Sequence, residues 1–183
     1  FWSWRDGRAR TEALHIQEGM SREFNRVCGF PECIPHLMAP KVRRALAGQP
    51  QTRRSHARIM TLPGYIAWRW AGIEGIDPNL AAMSGLYAIP RQTWFAELLD
   101  RISLSEAQLP PLVPTGQFHQ RAPDGRPVAF CGNDQTAGAF GNGATESMPL
   151  ITLGTALVAY RLTGSQPGPY GRQGIWGPYP DGG

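Results

Sequence analysis

The chain has 183 residues, 42% of them hydrophobic, which is enough for one well-buried core and favours one domain together with the beginning of another. Its net charge of +4 comes from 18 basic and 14 acidic residues, without any nucleic-acid motif beside them, and no apolar stretch approaches the ~20 residues of a membrane span. Three cysteines cannot all pair, which argues against a secreted disulfide framework, so we expect a cytoplasmic protein with neither nucleic acid nor membrane as a partner.

Two groups of side chains have both a functional and an ordinary interpretation. Cys28, Cys33 and His36 have a spacing faintly like that of a metal site, but a fourth ligand is missing nearby, and free cysteines are commonly small core residues. The densest basic run could contact phosphates or nucleic acid, or form a solvated helix face with its loop; it contains Arg43, Arg44, Arg53, Arg54 and Arg58. The ordinary interpretation is the stronger one in both cases, and we predict no metal site.

Helices are predicted where apolar residues recur at helical spacing between proline and glycine signals. The predicted helices cover residues 10–27, 38–47, 62–70 and 94–102. Gly29 follows the first helix as a stop residue, Pro40 and Pro63 lie in the first turns of the second and third, and Gly72 follows the third.

The second half of the chain predicts strands around a polar turn. The apolar run 127–131 suits a buried strand, and it leads through a turn into a small-residue helix over 136–143, entered at Asp134 or Gln135. Residues 150–160 read as two strand segments joined through Gly154 and Thr155. From residue 164 onward the chain is rich in glycine and proline and shows no periodic segment.

The polar turn is the first candidate site. It offers the Asp134 carboxylate between the amide side chains of Asn133 and Gln135, an arrangement that can hold a polyhydroxylated ligand while one hydroxyl loses its proton. The alternative is an ordinary turn, since glycine, asparagine and aspartate dominate turns. Taken alone, the residues favour the turn.

Two further segments allow a binding role. Gly154 and Thr155 offer a backbone amide and a hydroxyl to a phosphate, or they form a plain hairpin turn. Trp4 and Asp6, with Arg8, could stack on a sugar and hydrogen-bond its hydroxyls, or Trp4 could be a packing residue. No nucleophile and base pair supports hydrolase chemistry.

Taken in chain order, these segments resemble the FGGY family of carbohydrate kinases, which includes glycerol kinases and xylulokinases. The resemblance spans most of the chain and is carried by WRDGR at 4–8, APK at 39–41, LPGYIAWRWAG at 62–72, DPNLAAMSGLY at 77–87, WFAELL at 94–99, the stretch 109–116, residues 130–143 and LGT at 153–155. The order and spacing of so many short motifs reverse the ordinary interpretation of Asp134 and Thr155.

The resemblance implies an α/β actin-like ATPase fold, also called ribonuclease H-like, of which this chain is part. Residues 1–148 would belong to the sugar-binding first domain and residues 149–183 would begin the nucleotide-binding second domain. The implied reaction is the ATP- and Mg²⁺-dependent phosphorylation of a hydroxyl of a ketose or polyol. A homodimer is left open.

The resemblance also assigns roles to individual residues. Asp134 corresponds to the general base of the family. The substrate contacts would be Trp4, Asp6, His36, Asn133 and Gln135, and the nucleotide contacts Gly154 and Thr155.

We expect both ends of the chain to be truncations. The phosphate turn of the first domain would lie before Phe1 and the adenosine-binding part beyond Gly183, so this chain alone would not turn over ATP. The rival interpretation is a non-catalytic sugar-binding or scaffold module, including a decayed kinase.

Overall fold

The computed structural model describes residues 2–51, 55–154, 157–164 and 174–180. Its main helices are α1 (Arg10–Cys28), α2 (Met38–Leu46), α3 (Leu62–Ala71), α4 (Pro78–Met83), α5 (Ala96–Arg101) and α6 (Asp134–Gly141). Short 3₁₀ turns cover Ile89–Arg91 and Glu106–Gln108.

The strands named here form three antiparallel pairs. They are β1 (Tyr87–Ala88) with β2 (Thr93–Trp94), β3 (Phe118–Arg121) with β4 (Pro127–Ala129), and β5 (Leu150–Leu153) with β6 (Leu157–Tyr160). An isolated parallel bridge joins Ile76 to Leu112. In the described part of the chain the sheets are therefore two-stranded.

The first three predicted helices are confirmed. They were predictable because the residues that begin and end each helix lie next to it in the sequence. α1 ends at Gly29, which adopts the left-handed conformation with φ of 79° that glycine tolerates best. The Thr61 hydroxyl caps α3 by accepting a hydrogen bond from the Gly64 amide, and Gly72 closes that helix with φ of 70°.

The predicted helix over 94–102 is too long at its start. Trp94 lies in β2 and pairs with Tyr87, whose ring meets the indole edge-on at 6.4 Å, so α5 begins only at Ala96. The apolar face of the segment is nevertheless buried. Cross-strand packing of the two aromatic residues takes precedence over helical spacing here.

The prediction of a buried strand over 127–131 is wrong in its burial. β4 covers only Pro127–Ala129 and pairs with β3 alone, and both Pro127 and Ala129 are exposed. Of this segment, Phe130 is the buried side chain, packed with Ala67 and Ile73. A hairpin that lies on the surface cannot bury a whole apolar run.

The main core joins α1, α2, α4, α5 and β1, with Phe24, Tyr87 and Phe95 among its fully buried side chains. A separate cluster contains Ala139, Ala144 and Tyr179, with Tyr160 packed against it. Residues 174–180, called the strap below, supply Tyr179 to that cluster. The Trp176 amide also donates to the Gly29 carbonyl at 2.9 Å, so the strap contacts both the end of α1 and α6.

Candidate active site

Asp134 is the first residue of α6, and its side chain is exposed. Among the described residues, its carboxylate accepts one hydrogen bond, at 3.0 Å from the Gln135 backbone amide. The prediction that the helix is entered at Asp134 or Gln135 is therefore confirmed. The structure presents a carboxylate to solvent at the entrance of a helix.

Asn133 is the N-cap of that helix, and its side chain is fully engaged. Its Oδ1 accepts hydrogen bonds from the backbone amides of Gln135 at 3.0 Å and Thr136 at 3.1 Å. Its Nδ2 donates to Asn79 Oδ1 at 2.8 Å and to Thr136 Oγ1 at 3.1 Å. An amide side chain has two donor hydrogens and two acceptor sites, and Asn133 uses all four of them to hold the helix entrance in place.

Asp77 holds the glycine that precedes this entrance. Its Oδ1 caps α4 by accepting from the Leu80 amide at 3.0 Å, and its Oδ2 accepts from the Gly132 amide at 3.0 Å. Gly132 has φ of 78°, and a Cβ there would strike the Asn79 side chain. The approach to Asp134 thus requires glycine and is tied to α4 by a buried carboxylate.

A second group of candidate residues is assembled by Lys41. This buried side chain donates from Nζ to the carbonyl of Ser3 at 2.8 Å, to that of Trp4 at 3.3 Å and to that of His36 at 2.8 Å. A single ammonium group therefore holds the amino-terminal segment against the loop before α2. Trp4 and His36 are exposed beside this junction, with Trp4 69% exposed.

Asp6 belongs to the same group and is paired with Arg8. The Arg8 Nη2 lies 2.6 Å from Asp6 Oδ2, and the Arg8 backbone amide donates to Oδ1 at 3.0 Å. These hydrogen bonds from Arg8 lower the pKa of Asp6 from 3.8 to about 2. Asp6 is therefore a hydrogen-bond acceptor throughout the neutral range.

The two groups lie at opposite ends of α4. Asn79 in its first turn contacts the Asp134 entrance, while the Ser84 carbonyl just beyond its last turn accepts from the Ala39 amide at 3.1 Å, in the first turn of α2. α4 has six residues, so about 9 Å of helix separates these contacts. This short helix sets the spacing between the Asp134 group and the Lys41 group.

The predicted nucleotide contacts belong to the β5–β6 turn. Gly154 lies exposed at the β5–β6 turn, and Thr155 falls outside the described residues.

Within the ranges that the structure describes, no group of three or more His, Cys, Asp or Glu side chains could hold a metal ion. Cys28 and Cys33 are buried, and burial raises the pKa of both thiols, that of Cys33 to about 12.

Two arginines of the basic run predicted as a solvated face have ordinary carboxylate partners. Arg44 pairs with Glu12 at 3.2 Å and Arg58 with Glu74 at 2.7 Å, whereas Arg53 and Arg54 lie outside the described residues. No helix among the residues described here is long and apolar enough to cross a membrane.

Sequence reasoning gave no supporting role to the residues that hold the site in place. They are Asp77, Asn79, Thr136, Tyr160 and Lys41. Asp77 followed by Pro78 is a helix-start signal that could have been found, since an acidic N-cap before proline at the first position is a common helix entrance. The others are linked by contacts between residues distant in the chain.

Within an α/β chain, a short helix thus separates an exposed carboxylate at a helix entrance from a second group of polar and aromatic side chains. A sequence profile described as the FGGY family of carbohydrate kinases, N-terminal domain, matches residues 2–141. The chain belongs to this family.

Curated relatives and solved structures agree with this assignment. The chain is 25% identical over 127 residues to the xylulose kinase of Streptomyces coelicolor, covering 65% of this chain and 26% of that protein. Among solved structures, the ligand-bound xylulose kinase of Lactobacillus acidophilus has a TM-score of 0.74 at 20% identity, and the match covers 86% of this chain and 34% of that one. The glycerol kinase of Plasmodium falciparum with ADP has a TM-score of 0.72 at 17% identity, over 85% and 34%.

These likenesses establish the actin-like fold predicted for the chain. They also show that the chain spans about a quarter of the length of the curated relatives it matches and about a third of the solved chains.

Proposed function

We propose that the protein carrying this chain is an ATP-dependent kinase of a ketose or polyol, with Asp134 as its general base. The observation that supports this most strongly is the Asp134 carboxylate itself. It stands exposed on a helix entrance whose capping side chain, Asn133, is fully hydrogen-bonded, and among the described residues it accepts one hydrogen bond, from the Gln135 backbone amide. A carboxylate held in this way can accept a proton without losing a structural contact.

The proposed reaction transfers one proton and one phosphoryl group. The substrate O–H bond breaks as its proton moves to an Asp134 carboxylate oxygen, while the hydroxyl oxygen forms a bond to the γ-phosphorus of ATP. The bond between that phosphorus and the β,γ-bridging oxygen breaks, and ADP leaves. Such a transfer depends mainly on positioning and charge neutralisation, so one placed base suffices on the substrate side.

The sugar contacts are divided between the two groups. Gln135, half-buried beside Asp134, would hydrogen-bond a substrate hydroxyl, and Trp4, Asp6 and His36 would contact the other end of the sugar. Asn133 would reach the sugar only by giving up a bond to Asn79, Thr136 or the helix backbone, so we assign it mainly to the entrance.

The nucleotide side rests on the family assignment. Gly154 and Thr155 would contact the phosphates in a second domain that begins near residue 149, and Mg²⁺ would arrive bound to ATP, because the described residues offer no dedicated cluster of ligands. Three free cysteines, of which Cys28 and Cys33 are buried, fit a reducing cytoplasm. A homodimer remains a prediction.

A substrate panel tests this function. The product of the complete coding sequence would be incubated with MgATP and a set of ketoses and polyols, while ADP release is followed by a coupled assay. One sugar should drive ADP release well above the hydrolysis seen without sugar. Saturable sugar binding, with no ADP release for any sugar, would overturn the kinase proposal and favour the non-catalytic module.

A further inference from the structure

The Asp134 entrance is held by a hydrogen-bond network that reaches into the segments after residue 148. We call it the Asn79 network; it consists of the side chains of Asn79, Asn133, Thr136 and Tyr160 and the carbonyl of Pro178. Asn79, Thr136 and Tyr160 are neither the base nor substrate contacts in the proposed reaction.

Asn79 uses every hydrogen-bonding position of its side chain. Its Oδ1 accepts from Asn133 N at 3.0 Å and from Asn133 Nδ2 at 2.8 Å. Its Nδ2 donates to Thr136 Oγ1 at 3.1 Å and to the Pro178 carbonyl at 2.7 Å. Because the Asn79 residue is 5% exposed, breaking one of these bonds leaves a polar atom of its buried side chain without that partner, which is costly.

The Thr136 hydroxyl connects Asn79 and Asn133 to Tyr160 by hydrogen bonds. Its Oγ1 receives two amide hydrogens, one from Asn79 and one from Asn133, and these occupy both acceptor positions of the hydroxyl. Its single hydrogen is therefore directed to the Tyr160 hydroxyl at 3.1 Å, which acts as acceptor. The direction of this last bond follows from the other two.

Two different segments beyond residue 148 thus join the network, one at Thr136 in the first turn of α6 and the other at Asn79 in the first turn of α4. Tyr160 comes from β6, and Pro178 comes from the strap. Tyr179 of the strap packs against the ring of Tyr160 at 6.1 Å and that of Phe140 at 5.9 Å, so an aromatic cluster lies behind the hydrogen bonds. Movement of the β5–β6 hairpin would pull on the same turn that carries Asp134.

We propose that Asn79 and Thr136 are positioning residues that couple the β5–β6 hairpin to the Asp134 carboxylate, with the Tyr160 hydroxyl as the link. This inference rests on the proposed function, because it takes Asp134 to be the base. The hairpin carries the Gly154 turn, which we propose for the nucleotide phosphates, so the network joins the proposed nucleotide side to the proposed base. Asp134 would be held in place only while Tyr160 of the hairpin is hydrogen-bonded to Thr136 of α6.

The test uses single-group deletions and the double variant Thr136→Val/Tyr160→Phe in the product of the complete coding sequence. Tyr160→Phe removes only the linking hydroxyl, Thr136→Val removes the relay hydroxyl in a side chain of similar shape, and Thr136→Ser retains it. Tyr65→Phe on α3 is the matched control, because Tyr65 is exposed and packs against Trp68 away from the network. Sugar-dependent kcat and KM, and hydrogen exchange of peptides from α1 and α6, would be measured for each variant.

We expect Tyr160→Phe to lower kcat about 10-fold and Thr136→Val about 10- to 100-fold, because small displacements of a catalytic group are costly. Thr136→Ser should stay within about 3-fold of the unmodified protein, and the double variant should match Thr136→Val, since Tyr160 acts through that hydroxyl. Exchange should accelerate in the α6 peptide and stay unchanged in the α1 peptide, which separates local positioning from general destabilisation.

The coupling is overturned if Tyr160→Phe behaves like Tyr65→Phe in both readouts, or if the two losses multiply in the double variant. If Thr136→Val fails to fold, Tyr160→Phe alone decides. If the unmodified product of the complete coding sequence shows no sugar-dependent ADP release, the proposed function is overturned instead. The hydrogen-exchange measurement would still decide whether the hairpin holds the α6 entrance.

Discussion

Asp6 illustrates how one partner residue fixes the charge of a proposed sugar contact. Hydrogen bonds from Arg8 lower the pKa of Asp6 to about 2, so the carboxylate stays ionised through the range in which an unpaired aspartate titrates. A depressed folded-state pKa contributes stability above the unfolded-state value, and this contribution is lost as the pH falls through about 2. Arg8→Gln should return the Asp6 pKa towards 3.8 in a carboxyl titration followed by NMR.

Arg5→Gln is the control for this measurement, because Arg5 is exposed and lies one residue before Asp6 without pairing with it. The Asp6 pKa should stay depressed in that variant. An Asp6 that titrates at its ordinary value while Arg8 is intact would show that the pair does not persist in solution.

Among the elements, α1 and the strap meet at Gly29, where two separate demands exclude a side chain. Gly29 has φ of 79°, and a Cβ there would fall on the Trp176 carbonyl and close to Ile89. Gly48 has a similar φ of 74° but open space around it. Both glycine-to-alanine changes carry the left-handed penalty of about 1–2 kcal/mol, and only the change at Gly29 also displaces the strap.

Gly29→Ala should therefore lower the free energy of unfolding by at least about 1 kcal/mol more than Gly48→Ala does, as measured by urea denaturation. Equal losses at the two positions would mean that the strap does not rest on the end of α1 in solution.

At the scale of the whole molecule, the core cluster around Ala139 and Ala144 depends on residues beyond 148. Tyr179 is buried in this cluster, and Leu150, Tyr160 and Leu162 pack against it. A chain ending at residue 148 would lose that cover, along with the Tyr160 and Pro178 bonds to the Asn79 network. Its thermal midpoint should be lower than that of the full 183-residue chain, since burying one large side chain contributes about 1.5–3 kcal/mol.

An unchanged midpoint for residues 1–148 would instead show that the predicted first domain is complete at that boundary. Leu157→Ser is a useful control in the longer chain, because Leu157 is 73% exposed and lies outside the cluster. This change should leave the midpoint of the 183-residue chain nearly unaltered.

The helices and the helix entrance at Asp134 were predictable because their signals are local. Gly29, Pro63 and Gly72 mark helix ends within a few residues of the helices they bound, and the asparagine before Asp134 is a standard N-cap. The α5 start was misplaced because Trp94 is taken up by a strand partner.

The hydrogen bonds that hold the candidate site in place could not be predicted from local signals. Asn79 lies 54 residues from Asn133 and 99 residues from Pro178, and Lys41 lies 38 residues from Ser3. No short pattern encodes such contacts, because they arise only when the fold brings distant segments together. The family resemblance supplied the role of Asp134, and its matching segments contain Asp77, Asn79 and Thr136, but it gave these residues no supporting role.

The most direct test of the account is the Asp134→Asn variant of the complete protein, assayed with the sugar that drives ADP release. Asparagine keeps the size of the side chain and removes the proton acceptor, so kcat should fall by about 100- to 10,000-fold while the fold is retained. Asp100→Asn, at an exposed carboxylate in α5, should leave kcat unchanged. If Asp134→Asn stays within a few-fold of the unmodified protein, Asp134 is not the base and the central assignment is wrong.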